Sequence, residues 1–307
     1  MSKVAILIPC YNEEAAIAKV VTDFKTQLPD ADIYVYDNNS TDGTVAQATQ
    51  AGAIVRHEFR QGKGNVIRSM FRQIEADCYI MVDGDDTYPA EAAAQLRDMV
   101  LQQGADMAIG DRLSSTYFTE NKRPFHNTGN RLVRFLINWL FKSNVRDIMT
   151  GYRAFSRNFV KNFPVLSKQF EIETEMTIYA LSHNFAIKEA PIDYRDRPEG
   201  GVSKLNTFRD GFKVLLTIFS LFRDNKPMLF FSWISTLLLI AALALFVPIA
   251  VEYINTSLVP RFPTAVLCSA LVICSIVSFA CGLILECQSK KHAQVMELLM
   301  NMSYKQK

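Results

Sequence analysis

Two carboxylates stand one residue apart in Asp83-Gly84-Asp85, just past an apolar run at 79–82. Such a pair repels itself unless a cation lies between its members. A hard divalent ion, Mg²⁺ or Mn²⁺, takes few protein carboxylates and completes its shell with water and phosphate oxygens. There it could neutralise a diphosphate leaving group. Gly84 permits the tight bend. A lone triplet of this kind also reads as a solvated turn, so its meaning depends on its surroundings. Gln61-Gly62-Lys63-Gly64 opens a helix, where the lysine and the helix N-terminus would both favour a phosphate. It lacks the G-x-x-x-x-G-K-[ST] spacing, which counts against an ATPase. Asp37 could accept hydrogen bonds from a base or ribose, or serve as a turn residue with Asn38 and Asn39. Arg112, Arg123, Arg131, Arg153, Arg195, Arg197 and Lys204 suit phosphate recognition as a set. Taken singly they read equally as scattered surface charge.

These residues need a frame. Residues 4–9, 33–36, 53–57, 79–82 and 107–109 read as buried strands. Between them 13–28, 41–51, 65–75 and 90–103 read as helices. Ser40 or Thr41 and Thr87 are candidate N-caps, and Pro89 suits an early helical position. The alternation predicts an α/β fold, a mostly parallel sheet with helices on both faces. Ligands of such sheets bind at the carboxyl ends of the strands. Four polar clusters fall there: Pro9-Cys10-Tyr11-Asn12-Glu13, Asp37-Asn38-Asn39-Ser40, Asp83-Gly84-Asp85-Asp86 and Asp111-Arg112.

Further along, 131–141 is a strongly amphipathic helix with cationic and aromatic residues, and 208–222 is similar. Each reads as a core-facing helix or as an interfacial helix at headgroup level. Residues 227–251 and 262–285 hold no charged residue, runs of 25 and 24. A span needs roughly 20 apolar residues, so both predict transmembrane helices joined by 252–261. That connection has one basic residue, Arg261. Lys213, Arg223, Lys226, Lys290 and Lys291 lie on the other side, so both termini are expected in the cytosol. The expected layout is a cytosolic catalytic domain over 1–205, a juxtamembrane helix over 206–226, a two-helix hairpin over 227–287 and a cytosolic tail over 288–307. The opening apolar run is too short for a secretory signal and reads as a first strand. Six cysteines without a C-x-x-C pair suggest neither zinc nor a disulfide framework. A net charge of +2 argues against a nucleic-acid partner.

Pro9-Cys10-Tyr11-Asn12-Glu13, Asp37-Asn38-Asn39-Ser40-Thr41-Asp42-Gly43-Thr44, Gly62-Lys63-Gly64 and Asp83-Gly84-Asp85 follow one another in the order of family 2 glycosyltransferases of the GT-A fold, which the chain resembles. Asp147-Ile148-Met149-Thr150-Gly151-Tyr152-Arg153, then Arg197-Pro198-Glu199-Gly200-Gly201-Val202-Ser203-Lys204, is similar to the dolichol-phosphate mannose synthase subgroup. The two-span tail resembles the bacterial branch that loads a sugar onto undecaprenyl phosphate. The resemblance covers essentially the whole chain. It implies that Pro9, Tyr11, Glu13 and Asp37 hold the nucleoside. It also implies that Asp83 and Asp85 face the metal and diphosphate, with Asp85 ranked ahead of Asp83 as direct ligand. Arg112, Arg131, Arg197 and Lys204 would grip phosphates of donor or acceptor. Two positions depart from the pattern: Asn38, where many relatives have Asp, and Thr87, where mannose synthases often offer a further metal contact.

The implied chemistry is in-line displacement at the anomeric carbon, with inversion. A polyprenyl phosphate oxygen is already anionic near neutral pH and needs little from a general base. It needs charge management and alignment. Asp85, Asp147 and Arg131 are the candidate catalytic residues. Asp147 orients the acceptor or stabilises the positive sugar carbon; the other reading has it cap a loop and pair with Arg153. The expected donor is a UDP-sugar carrying N-acetylglucosamine or glucose, and the expected setting is cell-envelope glycan modification at the inner membrane. A homo-oligomer is expected, with Gly282 as a packing signal in the second span. A processive polysaccharide synthase would carry a Q-x-x-R-W element and more spans, and no such element occurs. A non-catalytic nucleotide-sugar-binding scaffold would have no use for the Asp83/Asp85 pair and the basic set.

Overall fold

The computed structural model describes residues 2–114, 126–168, 171–195, 216, 219–220, 222–224 and 226–304. It forms two compact units, Met1–Ile218 and Phe219–Lys307.

The first unit is built on β1 (Val4–Cys10), whose apolar residues are almost wholly buried. It pairs in parallel with β2 (Asp32–Asp37) on one side and β4 (Cys78–Met81) on the other. β3 (Ile54–His57) extends the sheet beyond β2. The crossovers are α1 (Ile17–Gln27), α2 (Thr44–Gln50), α3 (Lys63–Gln73) and, after a 3₁₀ turn at Ala90–Ala92, α4 (Ala93–Leu101). In α1 the buried residues Ile17, Val20, Val21 and Phe24 follow a helical period, which sets one stripe against the sheet. Each such side chain contributes about 1.5–3 kcal/mol on burial.

β5 (Met107–Asp111), α5 (His126–Phe141), β6 (Arg153–Ser156), α6 (Arg157–Asn162), α7 (Ile172–Ser182) and β7 (Ile187–Pro191) complete the unit. The seven strands lie in the order β3-β2-β1-β4-β6-β5-β7. β6 runs antiparallel between β4 and β5, and β7 is parallel to β5. Neither was expected from the sequence. β6 opens on a charged arginine, and the edge strand β7 is only half-buried, so their apolar periodicity is faint.

The expected N-caps are corrected. Gly43 precedes α2, and Asp42 Oδ1 accepts from Thr44 N at 3.0 Å in place of a Ser40 or Thr41 cap. Thr87 caps no helix, since Pro89 in extended backbone precedes the 3₁₀ turn. α1 starts at Ile17 rather than at residue 13, because Asn12 takes φ 53° and the backbone of residues 12–14 bonds to the facing loop.

The second unit contains α8 (Pro227–Thr256, 30 residues) and α9 (Phe262–Tyr304, 43 residues). Both are long and apolar enough to cross a membrane. Their large apolar side chains are mostly exposed, among them Leu237, Ile240, Leu243, Ile273, Ile276 and Ile284. A helix in a soluble core would bury such residues. The two helices meet closely at Gly282, where an added Cβ would stand 3.0 Å from the Phe231 Cβ. Ser275 Oγ donates to the Ser235 carbonyl at 2.9 Å. Both helices outrun their charge-free segments. α8 stops at a left-handed Ser257 (φ 55°), and α9 carries the expected tail on as helix.

Candidate active site

The carboxyl edge of the sheet is assembled by loops that bond to one another. Ser40 Oγ accepts from Asn12 N at 2.9 Å, Thr44 Oγ1 from Glu13 N at 2.8 Å, and Asn12 Oδ1 from Thr41 N at 2.8 Å. The polar residues after β2 thus hold the end of β1, with Pro9, half-exposed Tyr11 and Glu13, in place. Asn12 and Asn39 take positive φ, 53° and 65°, a region asparagine tolerates better than most residues. Asp37 is buried, and both its oxygens accept from Ser40 N, at 3.2 and 3.3 Å. Its Oδ2 also lies 3.4 Å from His57 Nδ1. Asp37 thus braces the turn after β2 at the carboxyl edge of the sheet.

Asn38 accounts for its own departure from the family pattern. Its Nδ2 donates to the carbonyls of Glu58 (2.7 Å) and Arg60 (2.9 Å), and its Oδ1 accepts from Gly62 N (2.7 Å). A carboxylate could accept but not donate. The amide anchors the loop that delivers Lys63.

Lys63 begins α3 behind Gly62, which takes φ 126°. Its ammonium lies 2.6 Å from Asp83 Oδ1 and 2.6 Å from Glu173 Oε1. Burial alone would push the Lys63 pKa down, but the two carboxylates outweigh it and the pKa is raised. Two amides at the start of α3 are also engaged, Gly62 N just before the helix by Asn38 and Gly64 N by the Lys168 carbonyl at 3.1 Å. The sequence points Lys63 at a phosphate; in the structure it is held by two acids.

Asp85 is buried, and its Oδ1 accepts from Thr87 Oγ1 at 2.7 Å. An added Cβ on Gly84 would stand 2.7 Å from Cys10 Sγ, so only glycine fits between the two aspartates against β1. Gly151 likewise lets the 147–153 segment close on Asp83, whose Oδ2 would be 2.5 Å from its Cβ. Gly151 N donates to the buried Tyr88 hydroxyl at 2.9 Å. Burial raises the Tyr88 pKa, which keeps the phenol protonated.

Arg112 is gripped by Asp147 and lies against the neighbouring rings of Tyr88 and Tyr194, 6.0 and 5.7 Å from their centroids. Asp147 is itself aimed by Glu189, whose Oε1 accepts from Arg146 N (2.8 Å) and Asp147 N (3.3 Å). Burial raises the Glu189 pKa. The alternative partner for Asp147 is corrected: Arg153 is fully buried and donates to the Thr150 and Ile148 carbonyls and to Thr177 Oγ1. It is neither surface charge nor a phosphate ligand, and burial pushes its pKa down to about 10.

Asp83, Asp85, Lys63, Arg112 and Asp147 thus form one connected region, with Asp37, Tyr11 and Glu13 on the adjoining loops. Arg131 is exposed on α5, a helix that buries Val133 and Ile137 and leaves Leu132, Phe135 and Trp139 exposed. Arg197, Lys204 and most of 208–222 lie outside the described residues. Sequence reasoning missed Glu173. Its signal was two glutamates, Glu173 and Glu175, in an otherwise apolar helical stretch, since buried carboxylates need partners. Among the described residues no group of three or more His, Cys, Asp or Glu could hold an ion. A metal here would take its protein ligands from the Asp83/Asp85 pair alone, which suits a hard ion completed by phosphate and water.

Residues 5–163 match the family described as glycosyl transferase family 2, and the chain belongs to that family. Over 256 residues it is 33% identical to glycosyltransferase AglJ of Haloferax volcanii, covering 83% of this chain and 84% of that protein. It is 29% identical over 207 residues to a dolichyl-phosphate hexose transferase of the same organism, covering 67% of this chain and 88% of the relative. Among solved structures, glucosyl-3-phosphoglycerate synthase of Mycobacterium tuberculosis, in complex with Mn²⁺, UDP-glucose and phosphoglyceric acid, superposes with a TM-score of 0.59 at 20% identity, covering 72% of this chain and 79% of that one. The likeness shows a shared GT-A-like fold.

Proposed function

We propose that this glycosyltransferase moves a sugar from a nucleoside diphosphate to a polyprenyl phosphate, with inversion, at the cytoplasmic face of the inner membrane. One observation carries the reading. A chain with paired carboxylates at the carboxyl edge of a GT-A sheet also carries two exposed helices of membrane-spanning length. A relative named for dolichyl phosphate supports the acceptor class. Undecaprenyl phosphate is the proposed acceptor, and UDP-N-acetylglucosamine or UDP-glucose the proposed donor.

Asp85 and Asp83 would hold Mg²⁺ or Mn²⁺, which would neutralise the diphosphate as it leaves. Thr87 would keep the Asp85 carboxylate oriented through its hydroxyl. Pro9, Tyr11, Glu13 and Asp37 would seat the nucleoside, held by the interlocked loops. The acceptor phosphate arrives as its own nucleophile, so no side chain has to take a proton. Arg112, fixed by Asp147, offers an oriented guanidinium beside the reacting centre. Arg131, with exposed Leu132, Phe135 and Trp139, suits contact with the lipid and its phosphate. Arg197 and Lys204 are proposed as further phosphate ligands, and a homo-oligomer as the working assembly.

The test is transfer by the purified full chain in detergent, with Mn²⁺, undecaprenyl phosphate and labelled UDP-N-acetylglucosamine, UDP-glucose or GDP-mannose. The expected product is a lipid-linked monosaccharide formed from a UDP-sugar. Exclusively water-soluble product, or a growing polymer, overturns the reading.

A further inference from the structure

The side chains of Lys63 and Glu173 are 10% and 7% exposed, whereas that of Asp83 is 29% exposed. The trio is therefore closed to solvent except at Asp83. It contains one ammonium and two carboxylates, so with both acids ionised it has a net negative charge in surroundings that screen charge poorly. Without Glu173, Lys63 and Asp83 would form a neutral pair with little attraction left for a cation.

We propose that Glu173 is a positioning residue of the donor site: by sharing Lys63, it leaves Asp83 the negative charge that draws a divalent cation and the diphosphate it carries. This rests on the reading of Asp83 and Asp85 given above. The fold holds the sharing in place on both sides of Lys63. Glu175, two residues along α7, accepts from Leu166 N (3.0 Å) and Ser167 N (2.8 Å). The next residue, Lys168, accepts from Gly64 N through its carbonyl. α7 and the start of α3 are thereby tied together, which keeps the Glu173 carboxylate within reach of the ammonium. Burial raises the Glu173 pKa, and the ammonium of Lys63 beside it offsets part of that cost. With its Oε1 on the ammonium, Glu173 acts through Lys63 and not on the sugar.

The test counts charges by Mn²⁺ titration of the full chain, followed by electron paramagnetic resonance with no sugar donor present. Glu173→Gln is expected to weaken Mn²⁺ binding by roughly tenfold or more, the scale of a lost supporting contact. The double variant Lys63→Met with Glu173→Gln carries the wild-type net charge and no buried unpaired ammonium. Its affinity is expected to return to within about threefold of wild type, the non-additivity of a coupled pair. A merely structural Glu173 would lower the melting temperature and leave the Mn²⁺ affinity of the folded protein unchanged. Unchanged affinity in Glu173→Gln, or no recovery in the double variant, overturns the proposal. A wild-type chain that binds no Mn²⁺ overturns it together with the metal role. Glu173-dependent Mn²⁺ binding without sugar transfer overturns only the proposed function.

Discussion

Arg112 and Asp147 meet through two side-chain hydrogen bonds, Nε to Oδ2 at 2.8 Å and Nη2 to Oδ1 at 3.0 Å, and Arg112 N adds a third to Oδ2 at 3.2 Å. Both side chains are buried. Breaking such a pair leaves an uncompensated charge, at a cost of about 3–5 kcal/mol. Asp147→Asn or Arg112→Met alone should therefore destabilise the fold by about that much. Replacing both with apolar residues should cost less than either single change. Denaturant unfolding of the full chain in detergent measures this, and a double variant worse than both singles would show that the pair is not the unit.

Asp85→Ala should abolish transfer while the protein still inserts into membranes. Thr87→Val removes the hydroxyl that orients the Asp85 carboxylate. Loss of a contact of this kind lowers metal affinity by roughly 10–100-fold. The expected result is a higher Mn²⁺ requirement for turnover with little change at saturating Mn²⁺. Wild-type metal dependence in Thr87→Val would remove the orienting role.

Asn38→Asp restores the residue common among relatives, yet here it should be harmful. It removes two donated hydrogen bonds and sets a carboxylate against the Glu58 and Arg60 carbonyls. Leaving a buried polar group unsatisfied costs about 1–3 kcal/mol, and more when it is charged. A melting temperature at or above that of wild type would contradict the assignment.

Glu189 gives a pH signature. Burial raises its pKa above the unfolded value, so its protonated form is favoured in the fold. A raised carboxyl stabilises most at low pH, and that contribution is lost as pH climbs from about 4.3 through the folded value. Gln can still accept from Arg146 N and Asp147 N but does not ionise. Glu189→Gln should therefore gain on wild type in melting temperature from pH 5 to pH 8. A gap that stays constant or closes over that range would refute the reading.

A reporter placed within 252–261 should be reachable from outside intact cells, and one at the C-terminus only after permeabilisation. More basic residues lie before α8 and after the apolar part of α9 than in 252–261, and positive residues stay cytoplasmic, so this orientation is predicted. Reversed labelling would place the catalytic unit away from the nucleotide-sugar pool.

The chain's local patterns are enough to predict β1 to β5, the helices between them and the two lipid-length helices. Burial of continuous apolar runs leaves a signal in the sequence itself, and the carboxyl-edge rule then locates Asp37, Asp83 and Asp85. Pairings between distant segments leave no such signal. That Asp147 binds Arg112 and not Arg153, and that β6 enters antiparallel beside β4, depends on contacts across tens of residues. Asp83-Gly84-Asp85 reads in the sequence as two acids awaiting a cation. The folded chain brings Lys63 to the first and Thr87 to the second. It also brings Glu173 from a helix more than a hundred residues after Lys63. Charge of one sign in a buried site has to be balanced by whatever the fold brings near, and only the tertiary structure decides which residue that is.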